Sequence, residues 1–158
     1  MAITNPEQIL QIKRKSLTLF SQNYNCAQAV TAAFAEFCPF DEDLALQISC
    51  GFGGGFGGLH LLCGAVSGMA ILVGALECDP KKPEAKKPVM QKVKALVVDF
   101  EGRNDGLIQC SELLRRPSLQ SEVKNDSFIS SEFPGIRPCA KYVLDCVDLL
   151  CENLDITP

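Results

Sequence analysis

The chain has 158 residues, 47% hydrophobic and 22% charged, with a formal net charge of -4. That balance excludes a disordered chain, and the length suffices for one domain that buries a core without disulfide staples. A mildly acidic protein has no global attraction to nucleic acid or anionic membranes, so neither is expected as a partner.

The opening Met1-Ala2-Ile3-Thr4-Asn5-Pro6 has neither the basic start nor the apolar run of a secretory signal, and a cytoplasmic protein is expected. Asn5-Pro6-Glu7 reads as N-cap, first helical residue and early acid, which predicts a helix to about Phe20. Asn25 caps a second helix, where Cys26, Ala29, Val30, Ala33, Phe34 and Phe37 form an apolar stripe at helical spacing. A short third helix is expected over Asp41 to Ser49. The run from Gly51 to Gly58 holds too many glycines for any regular element and reads as a loop.

A fourth helix, from about Leu62 to Leu76, is apolar all round and hence central. Its Gly64 and Gly68 would let a neighbouring helix approach closely. The helical part of the uncharged tract from Gly51 to Leu76 is shorter than the roughly 20 residues a bilayer needs, so no membrane insertion is expected. A fifth helix covers Val89 to Phe100, with Glu84 as its furthest start. Lys81, Lys82, Lys86, Lys87, Lys92 and Lys94, beside Pro80, Pro83 and Pro88, read as a linker and then a solvated helix face.

Short helical pieces are expected between Gly106 and Arg115, and Pro117 to Pro138 reads as surface loop with at most one helical turn. Pro138 opens a last helix to about Leu154, with Cys139, Tyr142, Val143, Cys146, Leu149 and Leu150 on its apolar face. The expected fold is all-α: one helical bundle over residues 1–158, built around the fourth helix.

Nine cysteines without an export signal point to catalytic or metal-binding thiols, and the odd count argues against a complete set of bridges. A thiol attacks or ligates as the thiolate. The unpaired amides of a helix start favour that anion, by roughly 0.3–1 kcal/mol. Cys26, Cys63 and Cys139 fall at predicted helix starts. Cys110 joins them if its helix begins near Ser111 rather than Asp105. Cys38, Cys50 and Cys78 fall at helix ends, and Cys146 and Cys151 lie inside the last helix, positions that suit small core residues. The absence of Cys-x-x-Cys excludes a thioredoxin-type motif and a zinc ribbon, and the absence of Cys-x-x-Cys-His excludes covalent haem attachment. The long gaps between the four mean that the fold must assemble any shared site, one residue per helix.

Gly53-Gly54-Gly55-Phe56-Gly57-Gly58 matches G-x-G-x-x-G in letters, but no strand precedes it and no βαβ unit surrounds it. It reads either as a tight connection or as backbone, above all Gly53, Gly54 and Gly55, that stabilises an anion or approaches a cofactor beside Cys63. His60, the only histidine, lies three residues before Cys63 as a candidate base, ligand or proton shuttle for that thiol. It is also the only base available to a hydrolytic triad. Tyr24 is a further neighbour for Cys26.

Tyr24-Asn25-Cys26-Ala27-Gln28-Ala29-Val30, Gly51-Phe52-Gly53-Gly54-Gly55, Cys63-Gly64-Ala65-Val66-Ser67-Gly68, Cys110 and Cys139 together resemble the C_GCAxxG_C_C family, named for a redox role. The chain reads Cys-Gly-Ala where the family name reads Gly-Cys-Ala. The resemblance maps the family's four cysteines onto Cys26, Cys63, Cys110 and Cys139, and the other five fall outside its pattern. It implies electron or disulfide exchange with a redox partner protein, Cys26 and Cys63 being the first pair expected. Two alternatives stay open: an iron–sulfur cluster or zinc held by the same four cysteines, and a structural protein with inert, buried thiols. Homo-oligomerisation is left open too.

Overall fold

Capping side chains set where the first helices begin. The computed structural model describes residues 3–155. In it Asn5 accepts the Glu7 N–H, and Pro6 opens α1 (Pro6–Ser21). Asn25 and Gln28 form a reciprocal capping box at the start of α2 (Cys26–Ala33). Asp41 accepts the Leu44 N–H at the start of α3 (Glu42–Ser49). Each such bond satisfies an amide that the first helical turn leaves without a partner. The chain continues through α4 (Gly64–Glu77), α5 (Lys86–Arg103), α6 (Cys110–Leu114), α7 (Leu119–Asn125), α8 (Ser127–Glu132) and α9 (Ala140–Asn153). Pairing of strand type among the described residues is confined to an isolated antiparallel bridge, Leu62 with Gln109. The all-α expectation holds.

Helix α4 is central as expected, with Ala65, Val66, Met69, Leu72 and Val73 buried. Helix α2 shares that place. It is buried at Ala27 and from Ala29 through Ala33, on more sides than the predicted stripe, and packs against α1, α3, α4 and α9. The two glycines of α4 face it. A Cβ on Gly68 would lie 2.8 Å from the Ala27 carbonyl oxygen and 3.1 Å from Thr31 Oγ1, and one on Gly64 only 2.5 Å from Cys26 Sγ. The close approach needs both positions to lack a side chain. Helix α9 supplies the broadest apolar face to the same core, including Tyr142, Val143, Cys146, Leu149 and Leu150.

Two expectations fail. Residues 117–138 are not mostly loop, because α7 and α8 lie within them. Asp126 ends the first and caps the second by accepting the Ile129 N–H. Leu119 and Ile129, both buried, hold these short helices to the core. A composition rich in Ser and acids hid two widely spaced apolar anchors. Helix α2 also stops at Ala33, and residues 35–37 tighten into a 3₁₀ turn before Pro39. Proline cannot donate a backbone bond and disfavours α geometry in the residue before it.

The lysine-rich stretch is solvated as expected: Lys81, Lys86, Lys87 and Lys94 are exposed, while Lys82 pairs with Asp79 and Lys92 with Glu77. Among the described residues no helix is long and apolar enough to cross a membrane.

Candidate functional site

The glycine-rich loop is a compact left-handed coil. Gly54, Gly55, Gly57 and Gly58 have φ between 60° and 76°, and Phe56 and His60 share that region. The amides of Phe56, Gly57, Gly58, His60 and Leu61 donate to the carbonyls of Phe52, Gly51, Gly53, Gly54 and Gly55. Only a run of glycines adopts successive positive φ at low cost. The loop's close approaches are to protein. A Cβ on Gly53 would overlap the Asn25 side chain, and one on Gly55 would sit 2.6 Å from Cys110 Cβ. Gly54 is pressed against the Gly58 backbone.

Beyond the coil the chain extends and pairs with the segment before α6. The Cys63 N–H donates to the Ile108 carbonyl at 3.0 Å, the Cys110 N–H to Leu61, and the Ser111 N–H to His60. This short ladder places Cys63, the N-cap of α4, beside Cys110, the first residue of α6. Cys26 opens α2, and its sulfur lies over Gly64. Cys139 is the N-cap of α9. All four therefore stand at helix starts, as the sequence indicated.

The four cysteines line one cleft of about 20 Å³, closed by Gly64, Leu113, Leu114 and Tyr142. That is room for about one water molecule. Tyr142 forms a fixed wall. Its hydroxyl donates to the Leu113 carbonyl at 2.6 Å and accepts from Arg116 Nε at 3.4 Å. Arg116 is itself buried, with Asp105 and Glu122 as ion-pair partners. Burial lowers its pKa, but the bonds to Tyr142, Glu122 and Asp105 outweigh this and hold it above the ordinary arginine value. Tyr142 falls three residues after Cys139, one helical turn away, and that spacing was the signal that it shares the cysteine's face.

His60 meets a different thiol from the one its sequence position suggested. Its Nδ1 lies 3.4 Å from Cys110 Sγ. The antiparallel pairing of 60–63 with 108–111 is what turns it there, a contact that neighbours in sequence do not reveal. Tyr24 does not line the cleft; its carbonyl accepts a bond from Arg137.

Burial decides the charge state of these thiols. It pushes Cys63 up to about 12, reinforced by the neighbouring Cys26. The N–H groups of Val66 and Ala65 pull the other way, as a helix start should, and are outweighed. Burial, then Cys26 and Cys110, raise Cys139 to about 11 against the pull of Arg137. Cys110 is raised by burial and then by Cys26. These three sulfurs rest as neutral thiols at pH 7, so the preference for thiolates expected from their helix starts is overturned by desolvation. Cys26 is the sulfur that, as an anion, would repel an anion at each of the other three.

The remaining cysteines lie elsewhere. Cys146 and Cys151 are buried in α9, burial pushing the first well above its ordinary value and the second to about 12. Cys38, half-buried, is raised by burial to about 11, Cys78 ends α4, and Cys50 is exposed. Among the described residues, no three His, Cys, Asp or Glu side chains are grouped closely enough to hold a metal ion.

A family model described as "Putative redox-active protein (C_GCAxxG_C_C)" matches residues 24–153, most of the chain and all four cleft cysteines. No curated protein and no solved structure matches.

Proposed function

The chain belongs to the C_GCAxxG_C_C family of redox-active proteins, and from that premise we propose that Cys26, Cys63, Cys110 and Cys139 form a dithiol–disulfide centre that exchanges electrons with a redox partner protein. The observation that carries this reading is convergence: residues from four separate helix starts line a single cleft. Each internal disulfide formed there releases two electrons and two protons.

The chemistry of the cleft supports it. A dithiol and a disulfide are both neutral, so both end states suit an apolar, water-poor site, and a thiolate is needed only in passing. Gly53, Gly54 and Gly55 serve this centre as packing, letting Asn25 and Cys110 come close. A purely structural role would not require four thiols in one cleft while five others lie apart.

Equilibration in buffers of graded thiol and disulfide content, followed by alkylation and peptide mapping, tests the reading. The expected result is reversible loss of two thiols drawn from the cleft set. Oxidation confined to Cys38, Cys50 or Cys78, or appearing only as intermolecular bridges, would refute it.

A further inference from the structure

Resting on that reading, we infer that Cys110 is the sulfur that attacks an external disulfide, with His60 as its proton acceptor and Cys26 as the resolving thiol. Cys110 is half-buried, as are Cys26 and Cys139, where Cys63 is buried. Two observations then separate it from all three. The His60 imidazole, on an exposed residue, touches its sulfur at 3.4 Å. Gly55 packs against its Cβ, so the coil that carries His60 also fixes the rotamer-bearing carbon of the thiol. Because burial holds the Cys110 thiol neutral, attack needs a base, and among the described residues His60 is the one basic side chain shown in contact with that sulfur.

The steps balance. Neutral His60 takes the proton from Cys110 Sγ as that sulfur attacks one sulfur of the external disulfide. A Cys110 mixed disulfide forms, the external S–S bond breaks, and the departing thiolate receives the proton from His60. Cys26 then attacks the Cys110 sulfur, its proton passing by the same imidazole to the second leaving thiolate. The Cys26–Cys110 disulfide remains, and the external disulfide has been reduced by two electrons to two thiols. Cys26 suits the resolving role because it lines the same cleft as Cys110 and, unlike Cys63, is only partly buried.

The disulfide it accepts carries uncharged, apolar substituents. Leu59, Leu61, Leu62 and Leu114 are each more than two-fifths exposed. All four adjoin the attacking pair: Leu59 and Leu61 flank His60, Leu62 bridges to Gln109 just before Cys110, and Leu114 lines the cleft. No Asp, Glu, Lys or Arg occurs between Gly51 and Leu76, so this rim has no cation from that stretch to hold an anionic substituent.

The test uses the full-length reduced protein and a neutral dipyridyl disulfide as probe, with exposed Cys50 as internal reference. In Cys26→Ser the mixed disulfide is expected to accumulate on Cys110; in the unmodified protein it resolves to Cys26–Cys110. Should the serine variant fail to fold by circular dichroism, Cys26→Ala replaces it. His60→Asn, chosen because asparagine tolerates the left-handed backbone at this position, should slow modification of Cys110 relative to Cys50 by roughly a hundredfold or more. Replacing the probe by a dianionic bis(nitrobenzoate) disulfide should lower the Cys110-to-Cys50 ratio. First modification at Cys63 or Cys139, or an unchanged ratio in His60→Asn, overturns the assignment. A ratio as high with the dianion overturns the apolar preference. If an internal disulfide still forms among the four by another route, the assignment fails and the redox centre stands; if none forms, both fall.

Discussion

Gly64 opens helix α4 and Gly74 lies inside it, and the two differ most in what a side chain would meet. At Gly74 nothing lies within 4 Å of an added Cβ, whereas at Gly64 it would stand 2.5 Å from Cys26 Sγ, 2.9 Å from the Phe52 carbonyl oxygen and 3.4 Å from Gly53 Cα. Glycine to alanine inside a helix is worth up to about 1 kcal/mol of stabilisation from propensity alone. Gly74→Ala should realise most of that gain. Gly64→Ala has no more than that propensity gain, because it opens the helix, and forces extra volume into a packed site, at a cost of about 1–3 kcal/mol. Two of its three neighbours are backbone and yield poorly, so the Cys26 sulfur is the atom that moves. The difference between the variants is then about 1–3 kcal/mol, which at this chain length separates their melting temperatures by roughly 3–10 °C. Thermal unfolding monitored by circular dichroism measures that gap. Disulfide formation in a redox buffer reads the second consequence, slower closure in Gly64→Ala alone. Equal stabilisation by both alanines, with unaltered disulfide formation, would refute the claim that this glycine exists to seat the Cys26 sulfur.

Tyr142→Phe removes the hydroxyl that donates to Leu113 and leaves Arg116 Nε short of an acceptor. A loss of about 1–3 kcal/mol in urea unfolding is expected, with all nine thiols still countable; a neutral result would mean the tyrosine does not brace the cleft wall. Stability should also fall in alkali. Cys63 and Cys139 titrate near 12 and 11 in the folded chain, above the ordinary 9.0. Between about pH 9 and 11 the unfolded chain therefore releases protons that the folded one keeps. The contribution is present in full below pH 9 and declines by about 1.4 kcal/mol per pH unit for each such thiol. Urea unfolding from pH 7 to 11 checks this. Cys63→Ala should flatten the slope, and an unchanged slope would remove burial as the cause.

Helix positions were legible because capping and periodicity are local. Asn5, Asn25 and Asp41 each cap the helix they precede, and local start signals of this kind set apart Cys26 after Asn25, Cys63 after the glycine run and Cys139 after Pro138. Where the signal was diluted it misled. Leu119 and Ile129 stand singly among Ser and acidic residues, and nothing in that spacing announces that each will be buried.

The residue pattern alone determined that this is an all-helical chain with a central glycine-bearing helix, and that Cys26, Cys63 and Cys139 begin helices, while Cys110 depended on where its helix starts. Only the tertiary structure decided that those sulfurs share a cleft, that His60 faces Cys110 rather than Cys63, and that burial holds Cys63, Cys110 and Cys139 neutral. The division is physical. A helix start depends on residues three or four positions away, so it is written in the chain. The pairing of 60–63 with 108–111 joins segments far apart in sequence, and desolvation depends on everything that closes over a side chain. At Cys63 that surrounding burial outweighs the favourable amides of its own helix, which is why the local rule placed the residue at a helix start and misjudged its charge.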